Sequence, residues 1–128
     1  MRETVAQLER RHPLIATRLD YRDGSPVMRP AAGDRSVAVI LELREASPTE
    51  FELQLIRAVE APFDILAGPL WRIIAAQGPN DTNTLSFAGH HLAADAISTR
   101  ILCKDFGDLY FDGELEPQTE AYATFTAE

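Results

Sequence analysis

Three neighbouring segments constrain the fold more than anything else in the chain. Val37-Ala38-Val39-Ile40-Leu41-Glu42-Leu43 is a β-branched apolar run, and side chains of that kind suit a pleated, half-buried surface. It predicts a strand. Ser47-Pro48-Thr49-Glu50 then supplies a capping serine, a proline fitted to the first helical position and a glutamate that closes a capping box. A helix is expected to about Glu60, burying Phe51, Leu55, Ile56 and Val59, with Pro62 as its stop. Leu70 to Ala76 reads as the next strand. This alternation of strand and helix predicts a layered α/β domain, with a mixed sheet flanked by helices.

The remaining segments extend the pattern. Residues 2–12 read as a helix with Val5, Leu8 and His12 on one face and Pro13 at its end; His12 is read as a helix-end residue near the dipole. Ile15 to Tyr21 reads as a strand, Asp23-Gly24 as a turn and the stretch near Val27 as a short strand. A loop over 31–36 precedes the Val37 run. Pro79 to Asn83 forms a turn and Thr84 to Gly89 one arm of a hairpin. A helix is expected from near Asp95 to Tyr110, with Ile97, Ile101, Leu102, Phe106 and Leu109 on its buried face and Asp112-Gly113 at its end. Ala121 to Glu128 has helical character.

Composition removes several classes of function. With 20 acidic and 12 basic residues the net charge is -8, and a phosphate backbone would be repelled. Nucleic acid is therefore not an expected partner. No apolar stretch nears the roughly 20 residues that span a bilayer, and the charged start MRETVAQLERRHP lacks the apolar run of a signal peptide. A cytoplasmic protein without membrane contact is expected. Cys103 is the sole cysteine, which excludes an internal disulfide; its apolar neighbours predict a buried, inert thiol.

The chemistry is concentrated in His90-His91-Leu92-Ala93-Ala94-Asp95, between a strand and a helix start. Adjacent side chains at a strand end point opposite ways, so one histidine is expected to face a cleft and the other the core. Imidazole titrates near neutrality, and the cleft histidine can serve as a general base. Asp95 has two open roles: it can cap the following helix, or it can pair with an arginine and brace the loop. Ser98, one turn on, can donate toward a developing oxyanion. A metal site is disfavoured, because adjacent histidines seldom converge on one ion and further ligands are not evident.

Five segments in order carry a resemblance. Arg11-His12-Pro13-Leu14-Ile15-Ala16-Thr17-Arg18-Leu19 resembles the RHxxLRTRF segment of nonribosomal peptide synthetase condensation domains. Ala61-Pro62-Phe63-Asp64 with Gly68-Pro69-Leu70 and Arg72 resembles their PFDL…GPLxR segment. His90 to Ser98 resembles HHxxxDGxS, and Asp105 to Tyr110 resembles the helix ending in LY. Ala121-Tyr122-Ala123-Thr124-Phe125 is similar to YADYAxW.

The resemblance implies one lobe of a chloramphenicol acetyltransferase-like fold of two similar lobes, with a tunnel between them. It implies acyl transfer from a thioester, on a phosphopantetheine carrier or coenzyme A, to an amine or hydroxyl acceptor. No tightly bound cofactor or metal is implied. His91 would orient or deprotonate the acceptor, and Asp95 would pair with an arginine. Ala96 stands at the motif's glycine, which puts the loop conformation in question. Ala16 stands at the second arginine of RHxxLR, so that Arg18 or Arg72 would have to brace Asp95. Residues 1–128 would form the N-terminal lobe, incomplete at both ends, with a carrier domain, a second lobe and further copies of the chain as expected partners. The rival expectation is a non-catalytic half-domain that docks a carrier protein or pairs with a second lobe.

Overall fold

The computed structural model describes residues 1–31, 33, 35–111 and 113–115. Helix α1 (Arg2–Arg11) buries Val5 and Leu8. Pro13 opens a 3-10 turn over Pro13–Ala16, so the strand expected from Ile15 begins two residues later. Strands β1 (Thr17–Arg22) and β2 (Ser25–Pro30) form an antiparallel hairpin. Asp23 and Gly24 join them with φ of 51° and 81°. Two positive φ values are what a two-residue type I′ turn requires, and its twist matches that of the strands.

The main sheet is mixed. Strand β3 (Ala38–Glu42) runs parallel to β4 (Trp71–Gln77), and β5 (Asn83–Gly89) runs antiparallel to β4 on its other side. A parallel pair needs a crossover, and α2 (Pro48–Glu60) provides it. The Ser47 hydroxyl accepts the Glu50 amide at 3.2 Å, as the capping pattern predicts. Central β4 is covered on both faces. Trp71 and Ile73 enter a core with Val5, Leu8, Ile15, Val37, Leu102 and Phe106, closed by α1 and by α3 (Ala96–Phe111). Ile74 and Ala76, which point the other way, are buried as well. Helix α2 packs against β4, and the Phe51 ring lies so near Gly78 that a Cβ there would come within 2.6 Å of it. The expected α/β lobe with a mixed sheet flanked by helices is therefore what forms.

Three burial expectations fail. Ile56 is exposed because the inward stripe of α2 is centred on Phe51, and five residues on lies about 140° round the helix. In α3 the buried residues are Leu102, Asp105 and Phe106, with Leu109 packed beside them. That stripe leaves Ile97 and Ile101 outside, at 69% and 48% exposure. Cys103 is exposed rather than buried, although local crowding still raises its thiol pKa above the ordinary value. Helix α3 stops at Phe111, and Gly113, at φ 75°, returns its amide to the Asp108 carbonyl. The expected helical stretch at 121–128 lies outside the described residues. Among the described residues no helix is long and apolar enough to cross a membrane.

Candidate active site

The histidine pair lies where β5 leaves the sheet. Gly89 ends the strand at a tight point: a Cβ there would come within 2.8 Å of the Ala94 Cβ and 2.9 Å of the Trp71 ring. Only glycine lets the chain pass. The next amide, that of His90, still bonds to the Leu70 carbonyl at 2.8 Å. The chain then turns. The Ala93 amide donates to the His90 carbonyl at 2.9 Å, and the Leu92 amide donates to His90 Nδ1 at 3.2 Å. Trp71 Nε1–H closes the far side by donating to the Ala93 carbonyl at 3.0 Å.

The two histidines differ in burial and in contacts. The His90 ring is half-buried, with Phe63 edge-on to it at 6.0 Å between centroids and 86° between planes. Accepting the Leu92 amide through Nδ1 leaves Nε2 to carry the ring proton. His91 is exposed at the apex of the turn, and among the described residues nothing hydrogen-bonds to its ring.

Asp95 resolves its two open roles in favour of the cap. Its carboxylate accepts the Ser98 amide at 2.7 Å, and its carbonyl accepts the Thr99 amide and hydroxyl at 3.0 and 2.8 Å. The Ser98 amide, followed by the Ser98 hydroxyl, holds the Asp95 carboxyl below its ordinary pKa. No arginine among the described residues braces this carboxylate. Arg18 pairs with Asp20 at 2.9 Å, and Arg72 donates to the carbonyls of Ala58, Ala61 and Pro62. Among the described residues the loop is held by a helix cap, and the arginine pairing that the resemblance implied does not form there. Ala96 is the first residue of α3 and does not adopt positive φ, so its backbone makes no demand for glycine.

One ionic cluster escaped the sequence reading. Asp105 is buried on the inner side of α3, and its Oδ2 receives Arg11 Nε and His12 Nε2, both at 2.7 Å. Burial alone would raise this carboxyl, but the bonds from His12 and Arg11 outweigh it and the pKa lies below the ordinary value. His12 ends α1 as expected and also ties that end to α3. The available signal was a lone carboxylate among the apolar residues of α3, one helical turn from Leu102. Among the described residues there is no cluster of three His, Cys, Asp or Glu that could hold a metal. A shallow hollow bordered by Glu42, Arg44, Glu45 and Glu50 lies at the opposite end of the sheet from the histidines.

Comparison with known proteins places the whole arrangement. The family model described as condensation domain matches residues 1–128. The chain belongs to the condensation-domain family. It is similar to tyrocidine synthase 3 of Brevibacillus parabrevis, with 31% identity over 123 residues, 96% of this chain and 2% of that protein. It is also similar to cyclosporin synthetase simA of Tolypocladium inflatum, with 30% identity over 120 residues, 91% of this chain and 1% of that protein. The epimerization domain from the third module of tyrocidine synthetase B superposes with a TM-score of 0.78 at 23% identity, covering 98% of this chain and 31% of that one. The tallysomycin biosynthesis protein TlmII gives 0.77 at 21%, covering 96% and 30%. The condensation-domain chain thus has the chloramphenicol acetyltransferase-like fold of these neighbours. It spans 2% or less of these two synthetases and about a third of the two solved chains.

Proposed function

We propose that this chain is the N-terminal lobe of a condensation-type acyltransferase with His91 as its base. The substrate is an acyl thioester, carried on a phosphopantetheine arm or on coenzyme A, and the acceptor is an amine or a hydroxyl. The observation that carries this reading is the contrast within the pair: His90 is engaged with Leu92 and Phe63, while the His91 ring is exposed and unbonded on a turn tied down at both sides. The free imidazole takes the acceptor's proton as the acceptor attacks the thioester carbonyl. A bond from nitrogen or oxygen to carbon forms, the carbon–sulfur bond breaks, and the thiolate recovers a proton from the imidazolium. His90 and Asp95 act by fixing the turn and the helix start. Ser98, one turn on, is placed to donate toward the developing oxyanion. A second lobe supplies the other wall of the tunnel, and a carrier domain or acyl-coenzyme A delivers the donor.

The rival reading, a non-catalytic docking half-domain, drew its support from Ala96. Alanine is favourable at a first helical position, and that support falls away. The test uses the full two-lobed protein and follows thioester loss that depends on added acceptor. His91→Ala should lower the rate by about 10²–10⁴-fold without unfolding the protein, while His90→Ala should chiefly lower stability, with a smaller loss of rate from the loosened turn. Equal rates in wild type and His91→Ala would overturn the base and leave the docking module.

A further inference from the structure

The segment Pro62-Phe63-Asp64 and the residue Arg72 take no part in the reaction just described, yet they meet behind the histidine turn. Arg72 lies on β4 opposite Ala88 of β5, so it shares a sheet face with His90 two residues on. Its guanidinium reaches back over the end of α2. Nη1 donates to the Ala61 carbonyl at 2.6 Å and the Ala58 carbonyl at 3.3 Å, and Nη2 donates to the Pro62 carbonyl at 2.7 Å. The Ala58 and Ala61 carbonyls belong to the last turn and cap of α2, where a cation is also favoured by the helix dipole, and Pro62 follows directly. The same guanidinium lies 3.9 Å from the centroid of the Phe63 ring, within cation–π reach. The same ring also meets His90, with centroids 6.0 Å apart and planes nearly perpendicular.

Arg72, Phe63 and His90 therefore form a continuous stack from the end of α2 to the histidine turn. The stack is fixed at its far end by three carbonyls and at its near end by the bond from the Leu92 amide to His90 Nδ1. His91 lies between the two residues joined by that last bond. We propose that Arg72 is a positioning residue for His91, acting through the Phe63 ring and the His90 imidazole. The inference rests on the reading of His91 as the base. An arginine is suited to the task because its planar fork satisfies several carbonyls while its face covers an aromatic ring; a lysine offers a point charge without the fork.

The test reads the His90 ring directly. In the full chain with 15N-labelled histidine, long-range 1H–15N correlations report which ring nitrogen carries the proton. The wild type should show His90 protonated on Nε2. Arg72→Gln and Phe63→Leu should each weaken that preference and shift the Leu92 amide resonance, and Arg72→Lys should restore the signature in part. A role confined to capping α2 would lower the denaturation midpoint of Arg72→Gln but leave the His90 tautomer untouched in both variants. Unmoved His90 and Leu92 signals in the folded variants, or a wild-type His90 protonated on Nδ1, would overturn the proposal. If circular dichroism shows Arg72→Gln unfolded, Phe63→Leu decides, because it leaves the carbonyl bonds in place.

Acyl transfer by the two-lobed protein separates this failure from that of the base. Arg72→Gln, or Phe63→Leu in its place, should lower kcat about tenfold at unchanged KM, since a small misplacement of a reacting group is costly. Wild-type kcat in that variant, with His91→Ala impaired, would sink the positioning role. Wild-type kcat in His91→Ala would sink the base instead, and the His90 signature would still decide whether the stack orders the turn.

Discussion

Asp105 and Asp95 show how differently one residue type is used at two points of a single helix. Asp105 is buried and holds two partners from the end of α1. Removing it strands Arg11 and His12 in a half-buried setting. Asp105→Ala should cost roughly 3 kcal/mol, the low end for a broken buried pair because both partners keep some contact with water; urea denaturation measures it. The pH dependence follows from the sign of the shift. A carboxyl with a folded pKa below its ordinary 3.8 contributes stability that is present above 3.8 and lost as pH falls through the folded value. Asp105→Asn should therefore flatten the acid limb of the stability curve below about pH 4, and an unchanged limb would refute the assignment. Asp95 is exposed and caps α3. Asparagine caps as well as aspartate does, so Asp95→Asn should stay close to wild type in denaturation while Asp95→Ala falls below it. A buried ion pair would make both substitutions equally harmful.

Among the elements, strands, caps and turns were legible in the sequence because their signals are local. Ser47 caps α2, Asp23-Gly24 turns the hairpin and Pro13 ends α1 with no help from distant parts of the chain. The order of motifs also located the histidine turn. What could not be read was which stripe of α3 faces inward. The expected face held Ile97, Ile101, Leu102, Phe106 and Leu109, but α1 receives α3 along Leu102, Asp105 and Phe106 with Leu109 beside them and Ile97 and Ile101 outside, and the reward for that choice is an ion pair to residues 94 and 93 positions earlier. The carbonyl partners of Arg72 were hidden for the same reason, since they depend on the end of α2 lying beside β4. Gly89 links these elements to the site. Gly89→Ala would press a methyl group onto Ala94 and the Trp71 ring, and neither is free to swing away. The expected cost is about 1–3 kcal/mol, with amide shifts from His90 to Ala94; a stable variant with unmoved amides would show that the junction is looser than the contacts imply.

At the scale of the whole molecule, apolar side chains remain outside the core in quantity. Helix α3 exposes Ile97, Ile101, Tyr110 and Phe111, the last at 81%, and Leu92 beside His91 is half exposed. Exposed apolar side chains favour association where a partner surface can cover them. The chain covers about a third of the two solved chains it resembles, and the chain alone is expected to bury such surface against further copies of itself. Its net charge of -8 opposes that contact by repulsion between copies. Salt screens repulsion within a Debye length of about 10 Å at 0.1 M while leaving apolar burial intact. Association should therefore strengthen as ionic strength rises, the reverse of what a contact built on ion pairs would do. Light scattering over a range of protein and salt concentrations reads both effects. Ile97→Glu with Ile101→Glu should return the chain toward the monomer without lowering its stability, because neither side chain belongs to the core. A strict monomer at high protein concentration and high salt would show that this surface does not drive self-association.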